Sequence, residues 1–294
     1  MNWKTKEKII KRVLFIFAIS SILFLTGIVI VLFNEGLPIF EEVGLWEFIS
    51  GQKWYPTFDP PDFGILPLIS GSLVVTIGAM IFSVPIGIAS AIFISYILPQ
   101  NFKNVTKSMI ELLAGVPSVI YGLFGMKILG PFLKDIFDLP TGLTALNASI
   151  MLGIMALPTI MSLAEDAISS IPKSFRDASL ALGGTKWETI SRVIVPTASS
   201  GIVTAIILGM GRAIGETMTV LMVAGGAAVM PKSILKPIRP MTSTIAAEMG
   251  EAPVGSEHYH ALFGIAIILF LITLMFNVIA DIMSQRFKKK VSGQ

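Results

Sequence analysis

Between Asp62 and Lys103 the chain carries no charged side chain. About 20 such residues in a row cross the hydrocarbon core of a bilayer as a helix. Uncharged or nearly uncharged runs recur at 13–33, 109–132, 143–163, 194–223 and 262–283. The stretch 63–102 is long enough for two spans. No turn cluster divides it, and Pro85-Ile-Gly87 reads as a kink, so it is assigned one span at 70–98. The fold class that follows is all-α: a polytopic membrane protein with six transmembrane helices. Only 14% of residues are charged, against about a quarter in soluble domains.

The first run follows five basic residues within 1–12, an arrangement that also occurs in signal peptides. Its 21 residues are too many for such a peptide and no small-x-small cleavage site follows, so a retained first span is expected. Loop charge then sets orientation. With the N-terminus in the cytoplasm, the inside segments 1–12, 99–108, 166–193 and 284–294 hold 15 of the 22 basic residues, and the outside segments hold five. Both termini are therefore expected inside, with 284–294 a basic cytoplasmic tail. The absence of cysteine excludes disulfides and thiolate chemistry.

Two outside loops are long. The loop at 34–63 carries six acidic residues and one basic residue, with Trp46, Trp54 and Tyr55 expected as interfacial anchors. The loop at 224–260 is divided by prolines around a short helical segment, 241–249.

The cytoplasmic loop 166–193 is the most specific segment. Ser174 and Asp177 have the spacing of a capping box, with Asp in place of Glu or Gln. Gly183 suits the left-handed position that ends a helix. Thr185 and Glu188 mark a second start. Two short helices with a glycine elbow are expected. The first presents Phe175, Ala178, Ser179 and Leu182 as a narrow stripe, small at its middle and open to close approach by another protein.

The pattern Asp177-Ala178-Ser179-x3-Gly183-x9-Val193-x-Val195-Pro196 resembles the "EAA" loop of ABC-importer permeases, consensus EAA-x3-G-x9-I-x-L-P. The resemblance implies a type I importer fold, with 174–196, including Trp187 and Pro196, as the element that couples to a cytoplasmic ATPase. Phe63-Gly-Ile-Leu-Pro, Ala114-Gly-Val-Pro-Ser-Val-Ile-Tyr-Gly122 and Gly211-Arg-Ala-Ile-Gly-Glu-Thr-Met218 are similar to the phosphate permeases. The long first outside loop, ending Trp54-Tyr-Pro, favours the PstC type over the PstA type.

Arg212 and Glu216 are the only charges in 194–223. A charge at the centre of a membrane helix costs roughly 2.5–3.5 kcal/mol, which a chain keeps for a partner or a water-filled path. Four residues apart, they are expected on one helix face, with Glu216 holding Arg212 between passages. At 1.5 Å per residue Arg212 lies about 24 Å from Pro196, toward the outer side. A guanidinium can grip two phosphate oxygens, and Thr217 and Thr219 add hydroxyls. A structural ion pair is the competing reading. The resemblance implies a role in transport for Arg212 and Glu216.

Other features carry less. Glu111 and Lys127 sit near the ends of the third span and read as interfacial. His258 and His260 flank Tyr259 in an outside loop and suggest a metal pair only weakly. Pro85, Pro117 and Pro158 read as kinks. Glu165-Asp166 fits a solvated helix end or a contact to the ATPase.

No phosphate-binding G-x-x-x-x-G-K-[ST] loop occurs, so ATP and Mg are expected on a partner and no cofactor on this chain. The resemblance implies a PstA-type second permease, a PstB-type ATPase dimer and an extracytoplasmic PstS-type phosphate-binding protein, assembled at the prokaryotic inner membrane. A permease for sulfate, molybdate or phosphonate is the alternative. A membrane-embedded enzyme would need converging nucleophiles, histidines or carboxylates within spans.

Overall fold

The computed structural model describes residues 3–292. Residues 1–2 and 293–294, the tips of the two expected cytoplasmic ends, lie outside them. The regular structure among the described residues is helical apart from one hairpin and a single bridge between Gly225 and Ile238. Helix α1 (Trp3–Ile39) passes through a wide turn into α2 (Leu45–Ser50). Strands β1 (Trp54–Tyr55) and β2 (Asp62–Phe63) pair antiparallel, Trp54 opposite Phe63. Helix α3 (Leu66–Ile92) continues through a wide turn to Ile97. Then come α4 (Gln100–Ala114), α5 (Ser118–Phe124), α6 (Gly130–Phe137) and α7 (Ala145–Ser169). The loop region holds α8 (Lys173–Ala181) and α9 (Lys186–Glu188). Helices α10 (Val195–Thr197), α11 (Ser199–Ile214), α12 (Met218–Val223), α13 (Met241–Glu248) and α14 (Glu257–Ser292) complete the chain.

Four continuous helical stretches, Ile10–Ser50, Leu66–Ile97, Ala145–Ser169 and Glu257–Met283, are long and apolar enough to cross a membrane. Two further stretches qualify only as bent pairs. Asn101–Ala114 meets Ser118–Phe137 at 83°, and Lys186–Thr197 meets Ser199–Ile214 at 69°. This is an all-α polytopic membrane fold with four to six spanning elements. The runs at 109–132 and 194–223 are therefore not single straight helices. Pro117 has no N–H to continue α4, and it disfavours helical geometry at Val116. Gly215 ends α11.

Helices α3 and α7 form the centre. A Cβ on Gly87 would lie 2.8 Å from Ile160 Cγ2, and one on Gly153 would lie 2.9 Å from Phe82 and 3.2 Å from the Ala79 carbonyl. Small residues let the backbones approach where lipid gives no hydrophobic drive. Because Gly78 faces Ser149 and Gly87 faces Ile160, the two helices run in the same direction. The chain between them must return along the molecule, and the bent α4–α6 segment makes that return. Helix α11 lies against α7 and α14, and α1 lies along α14.

Three apolar clusters follow one another down α3. At the hairpin end, Leu68 joins Phe48, Trp54, Phe63, Met241 and Leu262. At the middle, Val75 joins Ala148, Leu152, Ala213, Val220 and Val223. At the loop end, Ala91 joins Ala164, Ile168, Ile194 and Ile202. Most large apolar side chains of α1 between Ile10 and Val31 remain exposed, as lipid or another subunit requires.

The hairpin end corrects one expectation. Trp54 is buried rather than interfacial, and its Nε1–H donates to Glu248 at 3.0 Å. Trp46 is exposed, and Tyr55 stacks on Phe58. Glu248 also pairs with Arg239 and lies 3.0 Å from His258 Nε2. His260 Nδ1 lies 2.7 Å from the Glu35 carbonyl oxygen. Each histidine thus has a protein partner, and among the described residues no group of His, Asp and Glu suits a metal ion.

Candidate functional site

Arg212 projects from the last turn of α11 and is exposed on this chain. Its Nη1 donates to Thr159 Oγ1 at 3.1 Å and its Nη2 to the Ala114 carbonyl at 3.3 Å. The guanidinium thereby joins α11, α7 and the end of α4. The Ala114 carbonyl is the last of its helix, left without a helical partner by the Gly115-Val116-Pro117 break. A cation is favoured at such a terminus by the helix dipole. Thr159 lies roughly 15 Å from the Ser169 end of α7 and roughly 21 Å from its Ala145 end. Arg212 therefore lies beside the middle part of α7. The 69° bend at Ala198 takes the start of the 194–223 run off the axis of α11, so contour length from Pro196 overstates the distance along that axis.

Glu216 does not hold Arg212. Helix α11 ends at Ile214, which removes the shared face. The Glu216 carboxylate turns the other way and accepts the Thr219 N–H at 3.1 Å, satisfying a free donor in the first turn of α12. Among the described residues Arg212 makes no ion pair; both acceptors on its guanidinium are uncharged oxygens. The Glu216 carbonyl accepts the Thr242 hydroxyl at 2.8 Å, which ties this break to α13.

The two threonines differ. Thr219 is fully buried and its hydroxyl donates to the Ser118 carbonyl at 2.9 Å, so it offers no free donor here. That bond fastens the break at 215–217 to the break at 115–117. Thr217 is half-buried, with its hydroxyl only 3.4 Å from the Gly215 carbonyl. Sequence reasoning missed Thr159 and the Ala114 carbonyl. A polar residue directly after Pro158 in an apolar run, and a carbonyl three residues before Pro117, were the available signals.

The loop elbow forms the second region. Helix α8 starts one residue before Ser174, directly after Pro172, and no side chain caps it. The expected Ser174–Asp177 capping box is therefore absent: Pro172 is the N-cap and Ser174 already lies inside the first turn. Gly183 has φ +84°, and the Gly183 and Gly184 N–H groups bond the Leu180 and Ser179 carbonyls at 3.0 and 3.1 Å. These two bonds are the Schellman closure of a helix. Thr185 and Glu188 make the reciprocal capping box of α9. The Thr185 N–H and hydroxyl both donate to the Glu188 carboxylate, at 3.0 and 2.8 Å.

The elbow presents an exposed surface. Asp177 and Ala178 are exposed, Leu182 is 91% exposed and Trp187 69%. Ser179 is half-buried because its hydroxyl lies 2.9 Å from that of Thr189. Thr189 opens the wide turn Thr189–Ile194, which leads through Pro196 into α11. Covalent chain and one hydroxyl pair thus connect the elbow to the helix that carries Arg212. Glu165 and Asp166 both bind Lys107, at 3.1 and 2.5 Å.

Residues 83–293 match the family described as binding-protein-dependent transport system inner membrane component. The chain is 39% identical over 271 residues to the probable ABC transporter permease protein YqgH of Bacillus subtilis (strain 168), covering 92% of this chain and 85% of that one. It is 33% identical to the phosphate transport system permease protein PstC of Mesorhizobium japonicum, covering 94% and 89%. Among solved structures, a chain of a bacterial ABC transporter that imports the acidic polysaccharide alginate superposes with TM-score 0.66 at 16% identity, covering 97% and 98%. A chain of the MetNI methionine ABC transporter in an inward-facing conformation gives 0.56 at 18%, covering 76% and 94%.

Proposed function

The chain belongs to the family of binding-protein-dependent transport system inner membrane components, as an ABC-importer permease subunit related to the PstC family, and we propose that it carries inorganic phosphate into the cell. It is a non-catalytic, multi-pass membrane subunit that works with a partner permease, an ATPase and a binding protein.

One observation carries the phosphate reading: Arg212, a cation beside the middle part of α7, has only uncharged acceptors on its guanidinium. An anion in transit supplies the missing counter-charge, and the planar fork suits two oxygens of a phosphate. The similarity to proteins named as phosphate permeases supports the choice of anion. In this reading each bent pair is one span, which makes six. The loop end and both termini face the cytoplasm. The partners are of the PstA, PstB and PstS types. Glu216 and Thr217 line the same passage, and Thr219 braces it.

The elbow at 174–183 docks on the ATPase through Asp177, Ala178, Leu182 and Trp187. Its movement reaches α11 through the Ser179–Thr189 contact and the wide turn before Pro196. Arg212 then exchanges protein oxygens for phosphate oxygens as α4, α7 and α11 shift.

Arg212→Gln removes the charge and leaves a shorter, neutral hydrogen-bonding side chain. It abolishes uptake of labelled phosphate in whole cells while the subunits still co-purify. Normal uptake by that variant would overturn the reading. Competition of labelled phosphate by sulfate, molybdate and phosphonate separates phosphate from another oxyanion.

A further inference from the structure

A cleft of about 560 Å³ opens at the loop end, between the end of α3, α4, the end of α7 and the first turn of α8. Lys103 and Lys107 reach it from α4, and Lys173 and Arg176 from α8. The neighbouring carboxylates, Glu165 and Asp166, both bind Lys107. Among the described residues Lys103, Lys173 and Arg176 have no carboxylate at ion-pair distance, and the four cations outnumber the two carboxylates, so the cleft keeps a net positive charge. Lys103 gives one N–H to the Ser95 carbonyl at 2.6 Å, which fixes its ammonium at the wall and leaves two donors. Arg176 sits 5.9 Å over the Tyr96 ring, which supports one face and leaves its N–H edges for a ligand. The first turn of α8 opens on the same space without a capping side chain, adding a helix-dipole field of the same sign.

We propose that this cleft binds a phosphate group and so bridges α4 to the elbow helix α8. The group comes from a membrane phospholipid headgroup or from free phosphate; both present the same oxygens. Ile97, Phe102 and Val105 expose apolar side chains around this end, where acyl chains of a lipid would lie. The bound group joins Lys103 to Lys173 and Arg176 across a gap that no protein ion pair closes. Its occupancy therefore sets how freely the elbow moves relative to the spans. The inference rests on the chain being a membrane permease and does not depend on what Arg212 carries.

The test uses the assembled importer in detergent, titrated with phosphatidylglycerol, phosphatidylcholine or inorganic phosphate and read by native mass spectrometry. The comparison is with Lys103→Gln/Lys173→Gln/Arg176→Gln and with single Lys173→Gln, whose exposed side chain can change without disturbing packing. At roughly 1 kcal/mol per cation near an anionic lipid, the triple variant loses phosphatidylglycerol affinity by about 100-fold and the single by about fivefold. Loss confined to phosphatidylglycerol, with no displacement by phosphate, assigns the lipid headgroup. Displacement by inorganic phosphate assigns the free anion. Equal binding of all three probes by the wild-type complex and both variants overturns the proposal.

Discussion

Arg212 is held by a hydroxyl and by the last carbonyl of a broken helix, two acceptors that can be released without leaving a buried charge behind. A carboxylate in their place would compete with an incoming anion by charge as well as by geometry. The Thr159 hydroxyl therefore sets where the guanidinium points and does not neutralise it. Thr159→Val keeps the shape and removes the acceptor, at a net cost of about 1 kcal/mol. The expected result is a roughly fivefold fall in initial phosphate uptake at low phosphate, with complex yield unchanged; unchanged uptake would mean that the Ala114 carbonyl alone positions Arg212. Glu216 plays a different part from the one its spacing suggests. It serves the start of α12, where its carboxylate accepts the otherwise unpaired Thr219 N–H.

The elbow works as an element because its ends are closed locally. Gly183 stands at φ +84° with nothing within 4 Å of a would-be Cβ, so a side chain there meets backbone strain and no clash. Gly183→Ala costs about 1 kcal/mol at the closure of α8. The expected effect is partial uncoupling: binding-protein-stimulated ATP hydrolysis falls more than basal hydrolysis, and Gly183→Asn, which tolerates the left-handed region, restores most of it. Equal loss of both rates would place the defect in assembly instead. The breaks at 115–117 and 215–217 are also local in origin, from Pro117 and Gly215. Their meeting is not local. It depends on the bond from Thr219 to the Ser118 carbonyl.

At the scale of the molecule, the parallel pair α3–α7 is the frame against which α4, α11 and α13 pack. Gly87 lies where Ile160 already fills the space. Gly87→Val forces the pair apart, and overpacking of this kind costs about 1–3 kcal/mol. The purified complex is expected to melt several degrees lower, as scanning fluorimetry would show; an unchanged melt would mean that α3 and α7 separate freely in the assembly. At the hairpin end Glu248 ties Trp54, Arg239 and His258 together, and at the loop end Lys103 bonds the Ser95 carbonyl beyond α3.

The membrane class, the all-helical backbone and the glycine elbow were legible in the residues themselves. Each depends on properties that act within one segment: the hydropathy of about 20 residues, the obligation to satisfy backbone groups in lipid, and the φ range open to glycine. The partners of Arg212, the burial of Trp54 and the meeting of the two helix breaks were decided only by tertiary structure. Spacing along a chain predicts a shared face only while the helix continues. Where α11 stops at Ile214, Glu216 is released to the next helix, and Arg212 finds its partners on chain segments 53 and 98 residues away.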